Sequence, residues 1–373
     1  MTTPAPQAPA ASQRATLLGC AQPLDEAYDV ALLDLDGVCF AGEARVPHAA
    51  DSVNAARGAG MRLSFVTNNA SRTPQAIVDK LAANGIQARA EEVFSAAMDG
   101  AALLGEHVPA GSTVLVVGGQ GVRQALTDAG FAVTSTAQDQ PVAVVQGWDP
   151  GVDWAMLSEA TYAIGQGALH VATNLDSTLP TERGFALGNG SLVAAVVNAT
   201  GKQPLAGGKP TPGIYQRALA RSGGARPLAI GDRLNTDLVG ARTAGFPGLH
   251  VLTGVSTARD VVLATPGERP SFVHTDLRGL TRPHPQPTAV QDQGRTWWQV
   301  GDQRARVTEG RLELAGAGVL STSATVVLDA YRALVAAAWD HADTLAESQT
   351  RAAQAGSWLH EALRVPELDV VAP

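Results

Sequence analysis

The sequence predicts an α/β fold, with a Rossmann-like parallel-sheet core, an inserted α/β cap domain and a small α+β C-terminal module. Three observations predict it. From Asp29 onward, short apolar runs alternate with helical stretches, the pattern of βα units packed in layers. Several apolar runs end in small polar or acidic residues, where an open parallel sheet forms a ligand crevice. After about residue 280 the alternation gives way to a proline-rich polar stretch and short strand-like segments.

The opening "TTPAPQAPAAS" has the composition of a disordered tail, assigned to residues 1–24. Strands are expected at 30–33, 63–67, 113–117, 142–146, 170–174, 227–230, 249–252 and 272–275. Helices are expected at 74–84, 121–130, 212–221 and 235–244, each ending on or soon meeting a glycine, proline or asparagine. The core is assigned to residues 25–95 and 206–282, with the cap, residues 96–205, inserted between them. "TRPHPQPTAVQDQG" reads as a linker, assigned to 283–292. Residues 293–373 form the C-terminal module, with strand-like "TWWQVG", "RARVTEG" and "RLELAG" followed by two helices. In the first helix Ala324, Val327, Leu328, Tyr331, Leu334, Val335, Ala338 and Trp339 recur at helical spacing. Trp297 and Trp298 are expected in the core of this module.

Composition narrows the function. The 373 residues suit two or three domains, and 45% hydrophobic with 17% charged residues supplies a sizeable core. A net charge of −8, with no basic patch interleaved with aromatics, argues against a nucleic-acid partner. No apolar run approaches the roughly 18 to 20 residues that span a membrane. Two cysteines, Cys20 and Cys39, cannot build a disulfide framework, which suits a reducing cytosol and a cytoplasmic location.

Four motifs carry chemistry. In "DVALLDLDGVCFAG" an apolar run ends in Asp34 and Asp36, two carboxylates two residues apart and followed by Gly37. Alternation along a strand places i and i+2 on one side, and like charges that close repel. A divalent cation, a proton on one carboxyl, or service as turn caps would each accommodate the pair. In "LSFVTNNASR" another run ends in Thr67, Asn68 and Asn69, which suit phosphate oxygens or a helix N-cap.

In "AGGKPTPGIY", Lys209 follows Gly207 and Gly208, which permit close backbone approach. Among 27 basic residues only Lys80, Lys202 and Lys209 are lysines. A compact ammonium fits between two anions where a forked guanidinium is too bulky. In "PLAIGDRLNTDLVGA", Asp232 stands at a further strand end and offers the oxygen that Mg²⁺ prefers. Asp237 either orients the site from outside the metal's ligands or favours the helix N-terminus. Three strand ends and one glycine-flanked lysine together supply what a phosphoryl-transfer site needs.

In this order and spacing, "DLDGV", "FVTNN", "GGKP" and "IGDRLNTD" resemble the four motifs of the haloacid dehalogenase superfamily phosphatases, in the subgroup of NagD-type and p-nitrophenylphosphate-type enzymes (type IIA, C2 cap). The resemblance covers residues 25–280. The cap stretch "VATNLDSTLPTERGFALGNGSLVAA" and the added C-terminal module resemble the bacterial glycerol-3-phosphate phosphatases especially closely.

The resemblance implies a Mg²⁺-dependent phosphomonoesterase acting through an aspartyl-phosphate on a small phosphorylated metabolite, with glycerol 3-phosphate the first choice. Asp34 would be the nucleophile and Asp36 the acid and base. Mg²⁺ would be held by the Asp34 side chain, the Asp36 backbone carbonyl and Asp232. Thr67, Asn68 and Asn69 would hold phosphate oxygens, and Lys209 would neutralise both the nucleophile and the phosphoryl group. In the cap, substrate contacts are expected on the loop from Asn174 and Asp176 to Glu182. Phosphoglycolate, a nucleotide monophosphate or a sugar phosphate are alternative substrates, and a regulatory or ligand-binding protein is the alternative of a different class. A homo-oligomer is compatible with all of these. His170 is expected to be structural, Cys39 a small buried residue near the site, and "VVGGQGVRQAL" a tight strand–helix turn.

Overall fold

A computed structural model describes residues 16–181, 183–354 and 363–372. The chain divides into two compact units, Met1–Arg62 with Gly224–Pro373, and Leu63–Gly223.

The first unit is built on parallel strands in the order Phe272–His274, Gly248–Val251, Pro227–Gly231 and Val30–Leu33. Every residue of Val30–Leu33 is buried, which its unbroken apolar run dictates. Leu33 pairs with Ile230, so neighbouring strands end level, one running into Asp34 and the other into Gly231 and Asp232. Gly37, at φ +85°, turns the chain toward the hairpin Phe40–Ala41 with Ala44–Arg45.

Three expectations are corrected in this unit. The segment 16–24, assigned to a tail, is held in place. Leu17 is buried, Leu18 N donates to Ser271 O at 2.8 Å, and Cys20 and His284 exchange backbone hydrogen bonds of 2.7 and 2.8 Å. The proline-alanine composition that suggested a tail lies earlier, in residues outside the described ones. The helix expected at 235–244 begins as a π-turn, Leu234–Leu238, and only then becomes the α-helix Val239–Thr243. That widened turn buries Asp237 against Gly231, where a Cβ would collide with its side chain. The stretch 283–292 is also no free linker: His284 is buried and Thr288–Asp292 is a strand paired with Arg295–Val300.

The C-terminal module carries an antiparallel sheet in the order Thr288–Asp292, Arg295–Val300, Gln303–Thr308, Arg311–Leu314 and Gly318–Val319. Helix Leu328–Gln354 packs on it. Ala324 and Val327, expected in that helix, instead belong to the strand Ala324–Val327, which pairs with Leu368–Val371. The β-branched run "ATVV" explains the shift. The second expected helix falls partly on residues outside the described ones. Trp297 and Trp298 are half-buried; Arg306 lies over the Trp297 ring at 4.6 Å, and Trp298 Nε1 donates to Asp340 at 3.3 Å.

The module shares one hydrophobic core with the rest of its unit. Val300, Ala305, Leu312, Leu334 and Trp339 pack in a cluster with Leu234, Leu238, Val261, Val262 and Val273. Trp339 Nε1 donates to Val261 O at 2.9 Å and Tyr331 Oη to Ala258 O at 3.2 Å.

The second unit has its own parallel sheet, ordered Leu205–Ala206, Leu169–Ala172, Ala143–Gln146, Thr113–Val117, Ala132–Thr134. Helices Ala96–Gly105, Gln120–Asp128, Trp154–Gly165 and Asn189–Thr200 accompany it, with apolar faces in two clusters around Val116 and Val144. Strand Arg62–Thr67, from Leu63 onward, pairs in parallel with Val93–Ser95 in this unit. The hairpin Thr178–Thr181 with Gly184–Leu187 projects exposed Phe185 and Leu187.

Candidate active site

The acidic residues at the strand ends of the first unit converge. Asp34, Asp232 and Asp237 each bring a carboxylate oxygen within 4.8 Å of the others, with Asp34 half-buried and the other two buried. Three anions that close repel one another, and a divalent cation offsets the repulsion. The donor set is all oxygen, which fits a hard cation such as Mg²⁺.

The surrounding backbone fixes this cluster. Asp34 N donates to Ile230 O at 2.9 Å, continuing the sheet ladder by one step. Asp232 Oδ2 accepts from Val255 N at 2.6 Å, and its carbonyl accepts from Ser256 N at 3.0 Å. His250 Nε2 meets the same carbonyl at 3.1 Å, which requires the hydrogen on that nitrogen. Burial holds this imidazole neutral, with its pKa pushed down to about 4. Asp237 Oδ2 accepts from Arg233 N at 3.1 Å, so Asp237 sits among the carboxylates and also closes the π-turn.

Asp36 is exposed, and its side chain is not one of the three that converge. The two-residue alternation that suggested its convergence with Asp34 ends at Leu33. Beyond it the chain bends at Leu35 and turns through residues 37–39, with Cys39 N donating to Leu35 O at 2.8 Å and Gly37 N to Phe40 O at 2.7 Å. Cys39 is buried and its Sγ lies 3.4 Å from Asp34 O, a packing role beside the nucleophile candidate.

The second unit holds a separate polar cluster. Thr67 is buried at the end of its strand, and its Oγ1 accepts from Asn69 N at 3.1 Å. Asn69 Oδ1 accepts from Ser71 N, Ser71 Oγ and Arg72 N, at 3.0, 3.1 and 3.3 Å. Its oxygen therefore closes the loop, while the helix that follows, Pro74–Ala83, is capped not by Asn69 or Ser71 but by Thr73, whose Oγ1 accepts from Ala76 N at 3.4 Å.

Asn68 is the hub. Its Oδ1 accepts from Lys209 N at 2.7 Å, and its Nδ2 donates to Lys209 O and Asp176 Oδ2, both at 3.0 Å. Asn174 Nδ2 donates to Asn68 O at 2.9 Å, and Asp176 N to Asn174 Oδ1 at 3.1 Å. The chain thus brings Asn68, Asn174, Asp176 and Lys209 together from three segments. Lys209 is only 3% exposed. Glu182, the far end of the expected contact loop, lies outside the described residues.

Asp99 was not anticipated. Fully buried, it accepts from Gly208 N at 2.8 Å and pairs with Arg217 at 2.8 Å. Burial pushes its carboxyl up, against the opposing pull of the Gly208 N–H and Arg217. It fixes the Gly207–Gly208 loop, where φ at Gly208 is +73° and a Cβ would meet Thr173 O at 2.6 Å. A single acid inside the apolar "AAMDGAALL" was the available signal.

His170 faces Gln146 Oε1 at 3.1 Å, with burial pushing its pKa down to about 4. It is a core residue of the second sheet. The "GGQG" stretch is a tight turn into helix Gln120–Asp128, and a Cβ on Gly121 would collide with Ala70 O.

Residues 31–132 match the model of the haloacid dehalogenase-like hydrolases, and residues 206–280 match a second model, described as HAD-hydrolase-like. The chain is 43% identical over 253 residues to the D-glycerol 3-phosphate phosphatase of Mycobacterium tuberculosis, covering 68% of this chain and 71% of the relative. It is 36% identical to an acid sugar phosphatase of Staphylococcus epidermidis, over 63% of this chain and 90% of the relative. A crystal structure of glycerol phosphate phosphatase from M. tuberculosis in complex with magnesium superposes with a TM-score of 0.74 at 34% identity, over 94% of this chain and 95% of that one. A p-nitrophenylphosphatase from Bacillus stearothermophilus covers 67% of this chain and 97% of its own, with a TM-score of 0.60 and 31% identity. Coverage of 94% takes in the C-terminal module as well as the motifs.

Proposed function

The chain belongs to the haloacid dehalogenase-like hydrolases, and from that premise we propose that it is a Mg²⁺-dependent phosphomonoesterase releasing glycerol and phosphate from glycerol 3-phosphate. The convergence of Asp34, Asp232 and Asp237 within 4.8 Å carries the chemical part of this reading. The 43% identity to a D-glycerol 3-phosphate phosphatase carries the substrate.

Asp34 attacks phosphorus in line, forming an Asp34 O–P bond as the phosphorus–alkoxide bond breaks. Asp36, exposed and two residues on, gives its proton to the leaving alkoxide. It then takes a proton from the water that attacks the aspartyl-phosphate, which frees phosphate and restores the Asp34 carboxylate. Asp34 and Asp232 would hold Mg²⁺ together with the Asp36 carbonyl, and Asp237 braces them. When bound, that ion supplies positive charge between nucleophile and phosphate. Thr67 and Asn68 are assigned to phosphate oxygens, with Asn69 shaping their loop. Lys209 supplies the neutralising ammonium, and Asn174 and Asp176 supply contacts to the substrate alcohol.

The reading includes a cytoplasmic protein with no nucleic-acid or membrane partner. The net charge of −8 supports the nucleic-acid part of it, and the two cysteines the location. A sugar phosphate is the second substrate reading, favoured by the relatives described as acid sugar phosphatases.

Phosphate release from glycerol 3-phosphate, phosphoglycolate, nucleotide monophosphates and sugar phosphates, with Mg²⁺ and with EDTA, tests the proposal. Preference for glycerol 3-phosphate, lost with EDTA, supports it. Preference for a sugar phosphate moves the substrate to the second reading, and silence across the panel overturns the enzyme.

A further inference from the structure

A cavity of about 420 Å³ lies where the C-terminal module meets helix Ala258–Val262, and its lining includes Arg259, Arg311, Arg364, Ser321, Leu320 and Leu363. These residues stand apart in sequence from every motif assigned to phosphoryl transfer. The volume falls in the range of small-molecule sites, roughly 300 to 1,000 Å³.

The three arginines are placed by backbone. Arg311 and Arg364 face each other across an isolated parallel bridge, and Arg364 N donates to Gly310 O at 2.8 Å. Arg259 extends from helix Ala258–Val262, and its Nε donates to Val365 O at 3.0 Å. Among the described residues it forms one ion pair, with exposed Glu367 at 3.7 Å. Among the described residues, neither Arg311 nor Arg364 forms an ion pair. In a chain with 35 acidic against 27 basic residues, three guanidinium groups lining one cavity, with one solvated acid at its edge among the described residues, are a concentration of positive charge.

Guanidinium forks match the paired oxygens of carboxylate and phosphate. Leu320 and Leu363 add apolar wall, and Ser321 adds a hydroxyl. We propose that this cavity binds a small organic dianion, a phosphate ester or a dicarboxylate, through Arg311 and Arg364 with support from Arg259. The apolar wall takes the organic body, and the forks take the charged ends.

Calorimetric titration of the full-length, Mg²⁺-loaded protein with phenylphosphonate and with phenylsuccinate tests this. Wild type is compared with Arg311→Ala/Arg364→Ala and with Arg311→Lys/Arg364→Lys. At least one probe should bind wild type at a site that weakens about tenfold or more in the alanine pair. The lysine pair should fall between, because it keeps the charge and loses the fork. Any phenylphosphonate binding at the catalytic cluster persists in all three proteins and drops out of the comparison. Turnover without probe and the melting temperature should be unchanged in both variants. Binding of phenylphosphonate alone assigns a phosphate ester, and of phenylsuccinate alone a dicarboxylate. Failure of both probes to bind wild type, or equal binding to wild type and the lysine and alanine pairs, overturns the proposal.

Discussion

Gly37 lies so close to Asp232 that a Cβ built on it would stand 2.5 Å from Oδ2 of that carboxylate. The turn after the first strand and the acid after its neighbour are therefore one packed unit. Gly37 also takes φ +85°, where an L side chain costs roughly 1 to 2 kcal/mol. Gly37→Ala should lower stability by about that amount and displace the Asp232 carboxylate. Turnover should fall about tenfold or more, with a higher Mg²⁺ concentration for half-activation. A Mg²⁺ titration of activity checks this, and an unchanged half-activation would show that Asp232 does not depend on the approach.

Asp34→Asn keeps the shape and removes the nucleophile. Turnover should drop by on the order of 10³ or more, while the melting temperature holds or rises as one of three converging negative charges is lost. Phosphate release at high enzyme concentration, paired with thermal melting, measures both. Residual turnover near wild type would remove Asp34 from the chemistry.

Asp176 accepts a 3.0 Å hydrogen bond from Asn68 Nδ2, which ties the expected substrate loop to the loop assigned to phosphate. Asp176→Ala leaves that donor without this partner, a loss of about 1 to 3 kcal/mol when the donor is buried and less here, where the pair is part-exposed. KM should rise by about tenfold, with kcat falling less. Steady-state kinetics on glycerol 3-phosphate separate the two, and a fall in kcat alone would give Asp176 a part in the chemical step.

The strand ends were legible in the sequence because buried parallel strands are written as unbroken apolar runs. Val30–Leu33 and Thr113–Val117 lie where the pattern put them, and Asp34, Thr67 and Asp232 stand where those runs stop. What the sequence did not disclose were effects that depend on packing. Asp237 read either as a group that orients the site or as a helix-terminal acid, and the π-turn places it among the carboxylates themselves. Asp99 belonged to no motif, and only tertiary structure sets it beneath Gly208. Proline content in 283–292 hid a strand, because its partner Arg295–Val300 lies just beyond a turn.

His274 and His284 form a buried pair whose rings are 6.2 Å apart, near Arg332. Arg332 donates to His284 Nδ1 at 3.2 Å, so the other nitrogen carries the hydrogen toward Gly279 O at 2.8 Å. Burial pushes His274 down to about 4 and His284 to about 3. An imidazole with a depressed pKa binds fewer protons folded than unfolded, so stability rises with pH between the two values. It is fully present above about 6.5, the unfolded value, and falls away as pH drops toward 4. Each such group contributes a slope of up to ~1.4 kcal/mol per pH unit in that window. Urea unfolding at a series of pH values measures it, and a flat profile from pH 6.5 to 4 would mean that these rings charge without cost.

The shared core makes a strong statement about the C-terminal module. Trp339 is 2% exposed, donates to Val261 O at 2.9 Å, and lies under Arg269, whose guanidinium is 5.1 Å from its ring. Arg269 is itself buried and pairs with Asp343 of the same helix at 2.8 Å. Removing the chain beyond about residue 285 would strip the cover from Val261, Val262, Leu234 and Leu238 and take Asp343 away from Arg269. Such a truncation should aggregate rather than yield an active core, although the p-nitrophenylphosphatase that covers 67% of this chain stands without so long an addition. Trp339→Ala is the gentler test, with an expected loss of roughly 3 to 5 kcal/mol. Denaturant unfolding should show the transition of this unit moved as a whole, because helix Leu328–Gln354 and the strands that end in Asp34 and Asp232 belong to one packed unit. Two separated transitions, with only the later one tracking phosphatase activity, would instead make the module an independent domain.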